Sequence, residues 1–241
     1  MEEWSQRTRL LLGSEVLSRI SALNVLVIGV GGVGAYAAEM LVRAGVGSIT
    51  VIDGDEVNLT NLNRQLLALN STLGVRKVEV MAKRLADINP GANIDARDEF
   101  VTVEGLDAIF AEKKYDYVVD AIDTVAPKVA VIEYCMRHKI KIISSMGAGG
   151  RMDPTKVQYA DISETYNDGL AKVVRTRLKD RGLNRGLKVV WSSEPVDRSA
   201  VMLTDESQNK RSSFGTVSYM PCVFGCMLAA WIINKEKRRK E

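Results

Sequence analysis

The chain contains few of the residues from which disulfide-rich domains and metal centres are built. Its 241 residues include three cysteines, one histidine and five prolines, and aromatic residues make up only 6%. Three cysteines without a CxxC pair cannot form a framework of paired disulfides or a four-cysteine zinc site. We therefore expect a protein of a reducing compartment and place it in the cytoplasm.

Long apolar runs are also missing. The most apolar stretch, residues 219–233, is shorter than the roughly 20 residues that span a bilayer, and Pro221 and Gly225 interrupt it. The N-terminus is acidic and then basic with no apolar run behind it, so we expect neither a signal peptide nor a membrane partner. The net charge of +3 is mild, and it leaves a nucleic-acid partner open.

The sequence does contain a regular alternation of apolar runs and amphipathic stretches. Short β-branched runs predict strands buried on both faces. Such strands are predicted at 24–28, 48–53, 93–97, 117–121 and 141–145, with helices between them at 35–44, 75–88, 103–111 and 126–137. This order is typical of a doubly wound, Rossmann-like α/β fold, a mostly parallel sheet with helices on both faces.

The last third of the chain is patterned less clearly. The predicted elements are strands at 157–161 and 187–191 that extend the sheet, a basic helix at 169–181, and an apolar, buried helix at 219–234. The polar stretch 193–213 is predicted to be a mobile loop, and the basic tail 235–240 a solvated end. We expect one domain, with an N-terminal helical arm (1–22), a nucleotide-binding core (23–150), and a part for substrate binding and dimer contacts (151–241).

A glycine loop, Gly29-Val-Gly-Gly-Val-Gly34, follows the first strand and opens a helix. In that context the glycines allow a close approach of phosphate, and the start of the helix presents its N–H groups to the negative charge. The loop glycines assigned to the nucleotide are Gly29, Gly31, Gly32 and Gly34. Asp53 ends the second strand, where a carboxylate can accept from ribose hydroxyls, and Asp55 next to it is counted with the nucleotide site. These residues alone favour neither ATP nor NAD.

The choice between the two nucleotides depends on the next segment. Asn61-Leu-Asn-Arg-Gln65 follows the second strand, and Lys77 begins the following helix, so two cations lie near the edge where ligands bind. An ATP that is attacked at its α-phosphate needs such cations, because negative charge builds on its oxygens. Asp123 follows the fourth strand and is predicted to hold Mg²⁺. Arg64, Lys77 and Asp123 together favour ATP.

Combined with Asp87-Ile-Asn-Pro90, these motifs resemble the ubiquitin-activating-type (ThiF/MoeB-like) adenylating enzymes, over residues 9 to 123. The resemblance implies a homodimer that forms an acyl-adenylate at a carboxylate. The roles it implies are ribose binding by Asp53, phosphate binding by Arg64, Gln65 and Lys77, magnesium positioning by Asp123, and an Arg9 that reaches the ATP of the partner subunit. Asn61 belongs to the same nucleotide site, and Arg9, Arg64, Lys77 and Asp123 form the catalytic set.

Two CxxC zinc pairs or a catalytic cysteine are usual in relatives that activate carrier proteins, and neither pattern is in place here. Cys135, Cys222 and Cys226 are interpreted as structural thiols. The second half instead resembles the tRNA threonylcarbamoyladenosine dehydratase branch, in the segments 121–128, 134–137, 147–150, 153–155 and 161–165. That resemblance implies ATP-dependent cyclisation of N6-threonylcarbamoyladenosine in tRNA, with release of AMP and pyrophosphate.

The same branch implies a monovalent cation, Na⁺ or K⁺, near the site. The turn 147–150 has backbone carbonyls that such a cation could use, but no ligands are assigned. A partner from a cysteine desulfurase system is left open. Basic residues cluster between Leu170 and Lys188 with one acidic residue among them. They are Lys172, Arg175, Arg177, Lys179, Arg181, Arg185 and Lys188. Such a stretch attracts a phosphate backbone, although a solvated basic helix has the same composition.

Three alternatives compete with this interpretation. The first is an adenylyltransferase that activates the C-terminal glycine of a ubiquitin-like sulfur-carrier protein. The second is an NAD-dependent oxidoreductase, which is disfavoured because the only histidine, His138, falls at a helix end and is interpreted as a cap or surface group. The third is a scaffold with a vestigial site, which the complete set of Arg64, Lys77 and Asp123 argues against.

Overall fold

The computed structural model describes residues 3–203 and 212–239. The predicted alternation of strands and helices is present. In chain order the elements are α1 (Gln6–Leu12), α2 (Ser14–Ser21), β1 (Asn24–Ile28), α3 (Gly34–Arg43), β2 (Ser48–Ile52), α4 (Lys77–Ile88), β3 (Asn93–Arg97), α5 (Leu106–Glu112), β4 (Tyr117–Asp120), α6 (Val125–Arg137), β5 (Ile142–Ser145), β6 (Val157–Asp161), α7 (Gly169–Lys179), β7 (Lys188–Ser192), β8 (Val201–Leu203), β9 (Ser212–Phe214) and α8 (Tyr219–Arg238).

Seven strands form one sheet in the order β3-β2-β1-β4-β5-β7-β6. All neighbouring strands are parallel except β6 and β7, which pair antiparallel. The chain runs from β1 outwards to β3 and then returns to β4 on the other side of β1. The strand order therefore reverses between β1 and β4, and a crevice at the carboxyl ends of such a pair is where ligands bind in doubly wound sheets.

Helices cover both faces of the sheet because side chains alternate along each strand. Val25 and Val27 pack into one apolar cluster with α3, α4 and α8, while Leu26 and Ile28 pack into another with α5, α6 and α7. The contact between α3 and α8 is close at Gly225, where a Cβ atom would lie 2.4 Å from the carbonyl oxygen of Val33. The doubly wound fold class, extended by β6 and β7, is confirmed.

Element ends differ from the prediction by up to four residues, and one segment differs in kind. The predicted helix 103–111 begins only at Leu106, because the hydroxyl of Thr102 accepts from the N–H of Gly105 and forms a turn first. The stretch 193–213 was predicted to be a loop, but β8 and β9 form an antiparallel hairpin within it. Three-residue strands carry too short a pattern to detect. Residues 204–211 of that prediction lie outside the described residues.

The prediction of a solvated tail from residue 235 is wrong at Glu236. Helix α8 continues to Arg238, and Glu236, 1% exposed, accepts a hydrogen bond from the hydroxyl of Tyr117 on β4. Glu236 lies one helical turn beyond Ile232, on the same buried face. Burial, and then the bond to Glu236, raise the pKa of Tyr117 above its ordinary value. Residue 240, the last of the predicted tail, is not among the described residues.

Within 3–203 and 212–239, none of the helices combines the length and the apolar character that a bilayer crossing requires.

Candidate functional site

The glycine loop and the exit of β4 touch at the point where the strand order reverses. The N–H of Gly29 donates to Ile52 on β2, and the N–H of Ala121 donates to Ile28 on β1. Gly29 has φ of +85°, and a Cβ atom on it would lie 2.9 Å from the carbonyl oxygen of Ala121. A side chain at this position is excluded both by the backbone conformation and by the neighbouring strand.

The four predicted loop glycines differ in what they permit. A Cβ atom on Gly34 would lie 1.7 Å from the carbonyl oxygen of Gly29, so the start of α3 lies directly against the end of β1. A Cβ atom on Gly32 would lie 3.2 Å from Pro221 on α8. At Gly31 the nearest atom is Nε2 of Gln65 at 3.8 Å, which is ordinary contact. Gly29 and Gly34 are thus required by the fold, whereas Gly31 leaves room above the loop.

Asp53 is brought to the glycine loop, as predicted. One carboxylate oxygen accepts from the N–H of Val30 at 2.7 Å, and the other accepts from the N–H of Asp55 at 2.9 Å. Burial raises the pKa of Asp53, and the nearby Lys77 and the two backbone N–H groups oppose that rise. The carboxylate therefore fixes the loop at the end of β2, with further lone pairs for a ligand hydroxyl.

Lys77 lies at the start of α4 and is almost fully buried. Its Nζ is 2.7 Å from a carboxylate oxygen of Asp55, whose side chain is half exposed. Asp55, which is predicted to belong to the nucleotide site, is therefore the counter-ion of Lys77 in the structure. A buried ammonium needs such a partner, and an anionic ligand at the crevice would compete with Asp55 for it.

The segment Asn61–Gln65 forms a turn beside the loop. The side chain of buried Asn61 accepts from the N–H of Asn58 at 3.0 Å, so Asn61 shapes the turn. Arg64 donates through Nη1 to the carbonyl of Thr60 at 2.8 Å. Oε1 of Gln65 is buried and, among the described residues, has no hydrogen-bond partner. A buried amide oxygen next to a glycine loop is the kind of atom that a bound nucleotide satisfies.

A buried ion pair lies directly beneath Asp123, and the sequence analysis missed it. The side chains of Asp120 and Lys128 are 0% exposed, with 2.8 Å between Nζ and Oδ2. Asp120 also accepts from the hydroxyl of Ser144 at 2.5 Å and from the N–H of Ile122 at 3.0 Å. Nζ of Lys128 donates to the carbonyl of Ile122 at 2.9 Å.

Both ends of the turn from β4 to α6 are therefore held from inside the protein, and Asp123 is presented at its exposed surface. The available signal was a carboxylate ending an otherwise apolar strand, followed by a lysine in the first turns of the next helix. Charged residues in such places are seldom buried unless they are paired.

Arg9 is not brought to this crevice by its own subunit's arm. It lies in α1, and residues on either side of α1, including Trp4 and Leu17, line a cavity with Gly47 and Gly91. Those glycines precede β2 and β3, at the amino ends of the strands, whereas the glycine loop is at the carboxyl ends. The role of Arg9 at a partner's site stays a prediction.

The thiols and the histidine occupy structural positions. Cys135 is fully buried, and burial raises its pKa far above the ordinary value. Cys222 and Cys226 lie half-buried and next to each other on α8. Burial, and to a smaller extent the neighbouring Cys226 thiol, raises the pKa of Cys222 to about 11. His138 ends α6, with Nδ1 2.9 Å from the carbonyl of Tyr134. Across the described ranges there is no group of three or more His, Cys, Asp or Glu residues that could hold a metal.

The turn predicted to offer carbonyls to a monovalent cation uses two of them internally. The carbonyl of Gly147 accepts from the guanidinium of Arg151, and that of Gly150 accepts from the N–H of Asp197 at 3.0 Å. The guanidinium next to the Gly147 oxygen repels a cation, and the Gly150 oxygen is already used by a backbone hydrogen bond, so both carbonyls are poor ligands for one.

The basic stretch divides into two groups. Nη1 of Arg175 turns inward to the carbonyl of Thr165 at 2.9 Å, and Nε of Arg181 pairs with Glu133 at 2.8 Å. Lys172, Arg177 and Lys179 are exposed on α7. Part of the predicted basic surface is therefore structural, and the rest faces solvent.

Comparison with known proteins finds similarity along almost the whole chain. Residues 5–239 match the ThiF family. The chain is 41% identical over 234 residues to the tRNA threonylcarbamoyladenosine dehydratase of Bacillus subtilis (strain 168), covering 94% of this chain and 92% of that protein. It is 38% identical over 254 residues to the protein of the same name from Escherichia coli (strain K12), covering 97% and 94%.

A crystal structure of the E. coli dehydratase in complex with ATP is similar in fold. Its TM-score is 0.88 at 38% identity, and the match covers 98% of this chain and 96% of that one. The likeness therefore includes the C-terminal part as well as the glycine loop.

Replacing Lys128 with methionine should destabilise the protein more than an ordinary surface change. The substitution leaves the carboxylate of Asp120 buried without its counter-ion, which costs about 3–5 kcal/mol. Urea denaturation measures the loss, and the double variant Asp120→Leu/Lys128→Met should recover much of it because no charge is left unpaired. A single variant as stable as the wild type would contradict the view that Asp120 depends on Lys128 as its counter-ion.

Alanine at Gly34 and at Gly31 should affect different properties, stability in the first case and ATP affinity in the second. The Gly34→Ala Cβ collides with the backbone of Gly29, so we expect a loss of roughly 1–3 kcal/mol in unfolding free energy. Gly31→Ala should stay within about 0.5 kcal/mol of the wild type in stability. It should nevertheless lower ATP affinity by at least about tenfold, because its methyl group fills the space above the loop. Calorimetric titration and thermal unfolding separate the two effects, and equal losses of stability would contradict this division.

Proposed function

Because the chain belongs to the ThiF family, we propose that it is an ATP-dependent dehydratase of N6-threonylcarbamoyladenosine in tRNA. The proposal is supported by three observations: Gly29 and Gly34 pack tightly where β1 and β4 end, buried Lys77 is linked through Asp55 to Asp53 at the glycine loop, and exposed Asp123 follows β4. This crevice belongs to a chain that is similar to dehydratases of that name from end to end. A nucleotide held there by its phosphates exposes the α-phosphate to a substrate carboxylate.

The first half of the reaction is an adenylation. The glycine loop and the start of α3 hold the phosphates. Asp53 accepts a hydrogen bond from a ribose hydroxyl, and the buried amide oxygen of Gln65 accepts one from the nucleotide. The threonyl carboxylate of the substrate attacks the α-phosphorus, a P–O bond forms, and pyrophosphate leaves. Arg64 and Lys77 stabilise the negative charge that grows on the oxygens during that step. The product is an acyl-adenylate.

The second half closes a ring. The carbamoyl group of the same side chain attacks the activated carbonyl, and AMP leaves with one oxygen of the former carboxylate. The modified nucleoside loses the elements of water in total. No enzyme thiol takes part, which suits a chain whose Cys135 is buried and whose Cys222 has a raised pKa.

Magnesium fits this crevice as a companion of ATP. Mg²⁺ in nucleotide sites is bound by one or two carboxylates together with phosphate oxygens and water, so Asp123 alone is sufficient on the protein side. The ion would neutralise phosphate charge when bound. A monovalent cation, Na⁺ or K⁺, belongs to the proposal as well, with ligands other than the carbonyls of Gly147 and Gly150.

Two surfaces support the proposed partners. Lys172, Arg177 and Lys179 on α7 offer positive charge to the tRNA backbone. Leu10 and Leu11 on α1 are 80% and 73% exposed, and adjacent exposed leucines favour contact with another protein surface. We propose that this surface is a homodimer contact that brings Arg9 to the partner's ATP.

The proposed division of the chain follows these roles. It has an N-terminal arm at 1–22, a nucleotide-binding core at 23–150, and a part for substrate binding and dimer contacts at 151–241. The proposed compartment is the cytoplasm. The proposed partners also include a protein of a cysteine desulfurase system.

The direct test supplies two substrates in parallel. The protein is incubated with ATP and either tRNA carrying threonylcarbamoyladenosine or a carrier protein ending in Gly-Gly, and AMP release and nucleoside mass are measured. We expect AMP release with the tRNA and a nucleoside lighter by one water. Adenylation of the carrier with no change in the nucleoside would overturn the proposal in favour of the carrier-activating alternative.

Variants of the crevice provide the control for that test. Lys77→Ala and Asp123→Ala should each lower substrate-dependent pyrophosphate exchange by at least about 100-fold, since they remove groups that act on the phosphates in the transition state. Lys83→Ala changes an exposed lysine on the same helix as Lys77 and should leave exchange unchanged. Wild-type exchange in both crevice variants would place the chemistry elsewhere.

Arg9 acting across a dimer predicts complementation. Arg9→Ala and Lys77→Ala should each be inactive alone, but a mixed dimer has one site with both its own Lys77 and the partner's intact Arg9. Random pairing of equal amounts should restore about a quarter of wild-type activity. If Arg9 served its own subunit, no mixed dimer would contain a complete site, and co-purified mixtures would stay inactive.

A further inference from the structure

A second cavity, of about 460 Å³, lies beyond the carboxyl end of β5. Its wall is formed by the turn that follows β5, the start of α7, and β9 with the segment that precedes β8. The lining residues that matter below are Gly149, Arg151, Leu170, Pro195, Val196 and Phe214. Apart from Gly149, which lies in the turn considered for a monovalent cation, none of them was singled out as a ligand contact from the sequence. None belongs to the nucleotide crevice described above.

This cavity adjoins the nucleotide crevice. Strand β5 is two positions from β1 in the sheet, and neighbouring strands are about 4.8 Å apart. Nδ2 of Asn63, next to Arg64, donates to the carbonyl of Thr216 at 2.9 Å. The hydroxyl of Thr216 lies 3.2 Å from the position of a Cβ atom on Gly149. The wall of the cavity is thus joined to the segment that carries Arg64.

The charged residues at the floor of the cavity, Arg151 and Asp168, form an ion pair without net charge. Arg151 and Asp168 are 1% and 2% exposed in their side chains, with 3.3 Å between Nη1 and Oδ2. Each of the three guanidinium nitrogens already donates, to the carbonyl of Glu194, to Gly147 with Asp168, and to the carbonyl of Asn167. Because Asp168 neutralises Arg151 and four of its five N–H groups already donate, Arg151 does not attract a carboxylate. The cavity favours an uncharged ligand.

The walls are apolar and include one accessible aromatic ring. Leu170, Pro195 and Val196 line the cavity together with Phe214, which is 43% exposed. A Cβ atom on Gly149 would lie 2.7 Å from Cβ of Phe214, so the residue is held against bare backbone. A ring fixed at the mouth of an apolar cavity is suited to stacking on a planar ligand.

We propose that this cavity receives the N6-modified adenine base of the tRNA, with Phe214 stacking on it. The inference rests on the proposed function. Enzymes that act on a base take it out of the stack and into a pocket lined by aromatic and apolar side chains. The cavity has the size of an ordinary small-molecule site, roughly 300–1,000 Å³.

A base in this cavity would have its reacting group near the nucleotide crevice and its flanking phosphates near the cations of α7. Its threonylcarbamoyl group extends towards the neighbouring crevice, where the α-phosphate lies. Helix α7 begins at the cavity wall with Gly169 and Leu170. Lys172, Arg177 and Lys179 follow along the same helix. Those cations are available to the phosphates on either side of the extruded nucleotide.

The test compares Phe214→Leu with Phe214→Trp in the full-length protein. Base stacking on an aromatic ring gives an expected rise of about 5- to 100-fold in KM for the modified tRNA in Phe214→Leu. The value of kcat should change by less than about threefold, because the phosphate contacts are intact. Phe214→Trp retains an aromatic face and should restore KM. Val173→Ala removes an exposed apolar group on α7 outside the cavity and serves as the matched control.

Direct binding separates the base from its side chain. With the protein saturated by AMP, ligand-observed NMR is recorded for N6-threonylcarbamoyladenosine nucleoside and for N-carbamoyl-threonine, which has no base. We expect binding of the nucleoside that is lost in Phe214→Leu and no such dependence for N-carbamoyl-threonine. Binding of N-carbamoyl-threonine that depends on Phe214 would overturn the assignment of the cavity to the base.

Two further outcomes would also overturn the inference. One is an unchanged KM in Phe214→Leu alongside normal wild-type turnover, which leaves the proposed function intact. The other is a Phe214→Leu protein that loses ATP affinity as well as tRNA affinity, since the ring would then be structural. If the wild type itself fails to convert the modified tRNA, the proposed function fails first, and the inference fails with it.

Discussion

The close approach of three backbone segments at the centre of the sheet constrains everything else in this protein. The end of β1, the start of α3 and the exit of β4 meet at Gly29, Gly34 and Ala121, with no room for a Cβ atom on either glycine. This contact brings a helix start to the place where the strand order reverses. Its N–H groups and partial positive charge then face the crevice. The site therefore exists because of a packing requirement of the fold, and ligand binding uses what the packing creates.

Electrostatics then position the side chains around that contact. Asp53 fastens the glycine loop to β2, Asp55 neutralises Lys77, and the pair of Asp120 and Lys128 holds the turn that presents Asp123. A buried pair contributes little net stability compared with apolar residues, but removing one partner is costly. Its value here is geometric, since the magnesium-positioning role proposed for Asp123 requires a carboxylate that is presented from a rigid turn.

Much of this arrangement could be predicted from the sequence because its signals are local. Continuous β-branched runs and glycine spacing identify the parallel strands and the loop within one or two residues. Other features depend on partners distant in the sequence. The sequence around Glu236 does not show that its carboxylate accepts a hydrogen bond from Tyr117 on β4. The sequence around Asp55 does not show that its carboxylate pairs with Lys77. The cavity proposed to receive the base is harder still to predict from the sequence. Its residues Gly149, Leu170 and Phe214 come from three separate segments that only the tertiary fold brings together.

The same geometry explains why no thiol is needed in the proposed reaction. Activators of carrier proteins pass the acyl group to a second molecule, and a covalent enzyme intermediate retains it in the meantime. Here the attacking carbamoyl group belongs to the molecule that carries the activated carboxylate, so the second step is intramolecular and has a very high effective concentration. What the protein has to supply is a fixed distance between the base and the α-phosphate. A rigid apolar cavity joined to the Arg64 segment through Asn63 and Thr216 meets that need, while Cys135, Cys222 and Cys226 pack as ordinary side chains.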